Sequence, residues 1–185
     1  MMPTAPTPAL VDPERQFLGA LMQMPLPGAR RVLADVRPDD LAHPPGQWVL
    51  ALACDVVAAG LDPSPMALLD RARETTDTSA RSGGADQLAQ LGVWLVDTYR
   101  DATGGGEDYA RWLTTVLLRQ AWRRAVAEHA TRLLQAVEQA PTGELYRIAT
   151  DTRRLDQLWS RYQHATGHPP VTAALGNEPA RKVAA

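Results

Sequence analysis

One cysteine and one lysine in 185 residues already remove several classes of function. Cys54 has no partner for an intramolecular disulfide and cannot by itself build a cysteine-based zinc site, so a reducing cytoplasm is the expected home. The lone lysine is Lys182, near the C-terminus. A phosphate-binding loop, in which a glycine-rich turn leads into Lys and Ser/Thr, therefore cannot be assembled, and Gly104-Gly105-Gly106 reads as a loop break. No run approaches the roughly 20 apolar residues of a membrane span, and residues 1 to 11 lack the basic start and apolar core of a signal peptide. No stretch alternates in the period-2, β-branched manner of a strand, so the expected fold class is all-α. A formal charge of -2 announces no nucleic acid in the whole-chain balance, which leaves room only for local basic contacts.

Catalytic and metal-binding chemistry is as thinly provided. His164 and His168 stand at i, i+4, a spacing that holds a metal on a helix, yet Gly167 and Pro169 interrupt that helix and no carboxylate completes a ligand set. His43 and His129 have no nucleophile at motif spacing. Cys54 falls among Trp48, Val49, Leu52, Val56 and Val57 with no histidine in its segment, the setting of a buried, inert thiol. The expectation is a protein without catalytic residues, metal or cofactor, acting through its surfaces.

What the chain does have is helix. Residues 1 to 12 and 164 to 185 are Pro-, Ala- or Gly-rich and poor in large apolar groups, and they read as flexible tails. Between them, 13 to 103 is expected to form a compact helical bundle. Asp12 caps its first helix with Pro13 at N1, Gly19 is a packing glycine, Gly60 ends the helix from Gln47 to Ala59, and Ser64 caps the next. Residues 75 to 84 read as a polar loop.

The segment 104 to 163 is the organising feature. Glu107 to Gln139 contains neither Pro nor Gly, which predicts one helix of 33 residues and roughly 50 Å. Ala140-Pro141-Thr142-Gly143 turns the chain, and Glu144 to Ala165 returns as a second helix with Leu145, Ile148, Ala149, Leu155, Trp159 and Tyr162 on one stripe, completing a long antiparallel helical hairpin. On the first of these helices Tyr109, Trp112, Leu113, Val116 and Leu117 form a stripe expected to face the bundle. Val126, Ala130, Leu133, Leu134 and Val137 form another, expected to face the returning helix. Leu118 and Trp122, with Ala125 and His129 in line, fall on the back, where no intradomain partner is evident. With Arg119 and Arg123 beside it, Trp122 has the composition of a protein-interface hot spot, or else covers the end of the domain's own core. On the return helix Arg147, Arg154 and Arg161 repeat every seven residues, either as a solvated face or as a contact for protein or nucleic acid.

The order of several short motifs resembles the N-terminal domain of the DnaB-type replicative helicases. The carriers are Glu14-Arg15-Gln16-Phe17-Leu18-Gly19-Ala20-Leu21, then Pro38-Asp39-Asp40-Leu41 with His43, and Gly60-Leu61-Asp62-Pro63-Ser64. They continue with Gly83-Gly84-Ala85-Asp86-Gln87-Leu88-Ala89-Gln90-Leu91 and Asp108-Tyr109-Ala110 with Arg119. The resemblance spans residues 13 to 163, with Leu41 in place of the family's phenylalanine. It implies a helical bundle with a hairpin that pairs between subunits and a docking surface for primase. The motor domain that follows in that family has no counterpart here, so no helicase activity is implied. The expected function is that of a non-enzymatic replication protein, a homo-dimer or higher oligomer that docks a replicative helicase or primase. The alternative is a nucleic-acid-binding or regulatory factor of a mobile element working through the Arg147, Arg154 and Arg161 face.

Overall fold

The structure is a computed structural model and describes residues 12–77 and 84–167. The two expected tails and the polar loop lie wholly or largely outside those residues, as does His168 of the histidine pair. Among the described residues every regular element is helical: α1 (Pro13–Met22), α2 (Leu26–Leu33), a 3-10 turn at Pro38–Asp40, α3 (Pro44–Ala58), α4 (Pro65–Asp77), α5 (Gly84–Asp101), α6 (Glu107–Gln139), α7 (Thr142–Thr150) and α8 (Arg153–Thr166). None of these helices is long and apolar enough to cross a membrane.

The ends of the helices follow local chemistry. The Glu14 amide donates to the Asp12 carboxylate at 3.0 Å, so Asp12 caps α1 with Pro13 in the first turn. The Ala67 amide donates to the Ser64 hydroxyl at the start of α4. Gly60, just past α3, takes φ +85°, a left-handed conformation that costs glycine nothing. The helix expected to begin at Gln47 begins at Pro44 instead, because Pro44 and Pro45 open α3. Their missing N–H groups fall where a helix has no acceptor for them anyway.

Two compact units divide at Leu117/Leu118. The division falls inside α6 and not at the glycine run, because the first three turns of α6 bury Ala110, Leu113 and Leu117 in the core of the first unit. That core is built around Phe17, Leu18, Leu21, Leu50, Leu68 and Leu95, all fully buried. Gly19 sets how closely α1 meets α5: a Cβ there would lie 2.5 Å from the Thr98 carbonyl oxygen and 2.6 Å from the Ala102 Cβ. Two buried polar residues of α1 organise the loops. Glu14 accepts from the amides of Ala42 (2.6 Å) and His43 (3.2 Å). Gln16 donates to the Asp101 carbonyl at 2.8 Å and accepts from the amide and hydroxyl of Thr103, both at 2.8 Å, which fastens the segment leading into α6. Cys54 is half-buried with its thiol pushed up by that burial, so it is held in the unreactive form.

Glu107 joins α2 to the first turn of α6. Its carboxylate accepts from Arg31 Nε at 2.8 Å and from Arg111 at 2.7 Å, and hydrogen bonding to Arg31 is the main cause that lowers its pKa to about 2. A carboxylate depressed in the folded state stabilises fully above its unfolded pKa and loses that contribution as pH falls through the folded value. The Glu107 contribution is therefore complete at neutral pH and disappears between about 4.5 and about 2. In acid titrations followed by circular dichroism, Glu107→Gln should lower the melting temperature at neutral pH and flatten the profile between about 4.5 and about 2, where the two proteins converge. An unaltered acid limb would show that solvent screens the pair out of significance.

The second unit holds its own core. Leu118, Ala121, Ala125 and Leu158 are buried together, with Trp122, Leu155, Tyr162 and Ala165 partly buried against them. The rings of Trp122, Trp159 and Tyr162 follow one another at 5.2 and 5.4 Å between centroids. The return from Glu144 to Ala165 is not the single helix that its composition predicts. It breaks at Asp151 and Thr152, where Asp151 takes ψ 76° and Thr152 ψ 3°. Thr150-Asp151-Thr152 needs no Gly or Pro to do this, since its side chains offer local hydrogen bonds that compete with the helix: Thr152 donates to Asp156 at 2.9 Å and Thr150 to the Tyr146 carbonyl at 2.9 Å.

Candidate interaction surface

The surface expectations for α6 are exchanged by the structure. Leu118, expected on an unpartnered back, is 0% exposed. Trp122 is half-buried against the same core, with Trp159 of α8 beside it. The line expected to face the return helix is largely open: Leu134 is 70% and Val137 67% exposed, with Val126 and Ala130 exposed beside them and Leu133 half-buried. Tyr146 on α7 is exposed as well.

The geometry of one helix accounts for the exchange. At about 100° per residue, Leu118, Ala121, Ala125, His129 and Ala136 fall within roughly 80° of one another, while Val126, Ala130, Leu134 and Val137 share a stripe about 130° away. All five of the former are buried and all four of the latter are exposed. Alanine at 121 and 125 leaves room for the large side chains of α8, which the apolar content of each stripe does not reveal. The missing signal on α8 is Leu158, buried between Leu155 and Tyr162, whereas Ala149 of the expected stripe is exposed. In the first unit Trp112 is likewise exposed and stacks on Tyr109 at 5.9 Å, while Thr114 takes the buried position.

The three arginines at seven-residue spacing do not share one helix. Arg147 lies on α7, whereas Arg154 and Arg161 lie on α8 beyond the break. Arg147 pairs with Glu144 at 3.4 Å and Arg154 with Glu128 at 2.9 Å, while Arg161 is half-buried. Arg153 pairs with Asp151 at 2.9 Å, and its hydrogen bond is the first cause that lowers the Asp151 pKa. Arg119 and Arg123 stand exposed and have no carboxylate partner among the described residues.

Enclosed chemistry is sparse. One hollow of the first unit, about 500 Å³, is lined by Pro44, Pro45, Trp48, Gln87, Gln90, Leu91 and Trp94, with no titratable group among them. No group of three or more His, Cys, Asp or Glu side chains that could hold a metal ion occurs among the described residues. The chain matches no family model, no curated protein and no solved structure.

Proposed function

We propose that this chain is a non-enzymatic, DNA-replication-associated protein built like a helicase N-terminal domain, with a helical bundle and hairpin, which self-associates and docks a replicative helicase or primase. The replication half of the reading rests on the order and spacing of the motifs from Glu14 to Arg119. The observation that carries the association half is the open stripe of Val126, Ala130, Leu134 and Val137, since an unpartnered apolar helix face is most simply covered by a second copy.

The stripe sets the expected strength. Its four side chains offer on the order of 300 Å² per copy, well below the roughly 800 Å² per partner of stable complexes, so the association is weak. Sedimentation equilibrium at about 100 μM should report a dimer or a state built on it, and Leu134→Arg should return the monomer without lowering the melting temperature, because an exposed position costs little to change. A wild-type chain that stays monomeric at that concentration would overturn the association. Purified primase or helicase from the same host should co-elute with the chain in gel filtration; failure of both would remove the docking role. The nucleic-acid alternative on Arg147, Arg154 and Arg161 loses support, since Arg147 and Arg154 are engaged with carboxylates and Arg161 is half-buried.

A further inference from the structure

The hollow between α3 and α5 offers rings and unused donors together. Pro44, Pro45 and Trp48 of α3 line it from one side, Gln87, Gln90 and Trp94 of α5 from the other, around about 500 Å³. Trp48 and Trp94 are half-buried against the core of the first unit and make no ring contact with each other. Among the described residues neither their indole N–H groups nor the amides of Gln87 and Gln90 have a hydrogen-bond partner, and neither indole nitrogen is sealed from solvent. The amides of Gln16, Gln23 and Gln47, by contrast, each donate to a backbone carbonyl.

Flat rings with free N–H donors match a ligand that brings pyrrolidine rings and unpaired carbonyls. A proline-rich segment is such a ligand, since its extended left-handed form makes no internal hydrogen bonds and returns residues i and i+3 to one edge. Aromatic-lined grooves take PxxP segments at low entropic cost because the form is already set. The first unit includes one: Pro3-Thr4-Ala5-Pro6 has that spacing and Pro8 follows. It leads directly into α1, whose first turn reaches both rims of the hollow. The Glu14 carboxylate accepts from the amide of His43, next to Pro44, at 3.2 Å, and Arg15 lines a neighbouring hollow with Gln90 and Trp94. From the Asp12 cap back to Pro6, six residues span up to about 19 Å in the extended form, enough to cross from α1 onto the hollow. Two other segments fit less well. Residues 78 to 83 also adjoin α5 in sequence but contain no proline or aromatic ring, and Pro169 and Pro170 belong to the second unit.

We propose that the hollow of Trp48 and Trp94 is the docking site for residues 3–8 of the same chain, with Pro3 and Pro6 against the two indoles and Gln87 and Gln90 donating to the segment's carbonyls. The site lies in the first unit, away from the open stripe of α6, and does not depend on the self-association reading. Tethered through so few residues, the segment meets its site at an effective concentration on the order of millimolar, so a free segment of the same composition cannot displace it at lower concentration.

The test is the set of indole N–H resonances in proton–nitrogen correlation spectra of the full chain, with those of Trp48 and Trp94 identified through Trp48→Phe and Trp94→Phe. Pro3→Ala, Pro6→Ala and Pro8→Ala combined should shift these two resonances and leave those of Trp112, Trp122 and Trp159 in place. A synthetic peptide of residues 1–11 at about 1 mM should return the variant's resonances to the wild-type positions, whereas unlabelled wild-type chain at about 100 μM should not, because its own segment is engaged. Gln87→Ala with Gln90→Ala, added to the proline variant, should weaken the peptide on the order of tenfold through loss of two donors. Resonances that stay put on proline replacement would overturn the proposal, as would movement of all five indoles or failure of the peptide to restore the two. Restoration by the unlabelled chain would show that the segment serves a second copy and would refute docking within one chain. An unaltered peptide affinity in the glutamine variant would refute the donor assignment.

Discussion

Truncation of Leu118 to alanine should destabilise the second unit by about 3 kcal/mol or more, because the side chain is fully enclosed and its loss leaves a cavity as well as lost transfer energy. Leu118 packs with Ala121, Ala125 and Leu158, and two of these are alanines too short to move into the space. Trp122→Ala should act in the same direction, removing the ring that meets Trp159 at 5.2 Å. Both variants should melt early by circular dichroism whether or not the chain associates. That outcome separates core from interface: a side chain used only for a partner would leave the melting temperature of the dilute chain unchanged when truncated. Early melting with intact assembly would place both residues inside the unit. Unchanged melting with lost assembly would return them to its surface.

Gly19→Ala should cost the first unit about 2 kcal/mol, the difference between roughly 3 kcal/mol of overpacking and about 1 kcal/mol gained in helix propensity. The contacts responsible are with a backbone oxygen and a Cβ fixed to the backbone. The added Cβ would lie 2.5 Å from the Thr98 carbonyl oxygen and 2.6 Å from the Ala102 Cβ, and neither can swing away as the end of a long side chain can. α1 and α5 would have to separate, which also strains the bonds that Gln16 makes to Asp101 and Thr103. A reversible denaturant titration should show the midpoint falling with the slope unchanged. A midpoint equal to that of the wild type would mean that the helices part at no cost, and Gly19 would then have no packing role.

Helix type and most helix ends were legible from local chemistry. Asp12, Ser64 and Gly60 act within a few residues of themselves, through a cap that accepts a neighbouring amide or a left-handed turn, and the sequence contains both members of each interaction. Two local readings went astray for reasons of the same range. Pro44-Pro45 signals a helix start as readily as a break, and Thr150-Asp151-Thr152 ends a helix through side-chain hydrogen bonds without the glycine or proline that usually marks the place.

Composition alone, one cysteine and one lysine, excludes an intramolecular disulfide framework and a lysine-bearing phosphate loop within these residues. Periodicity settled that α6 carries two apolar lines. Which line faces inward is not a property of α6 alone. Apolar content favours Val126, Ala130, Leu133, Leu134 and Val137, yet Leu118, Ala121 and Ala125 are the residues packed with α8, which brings Leu155, Leu158 and Tyr162 against them, and the small alanines let it approach. Burial on a helix is decided by the shape of its partner. The tertiary structure alone supplied that partner, and with it the open stripe and the distribution of arginines between paired and unpaired.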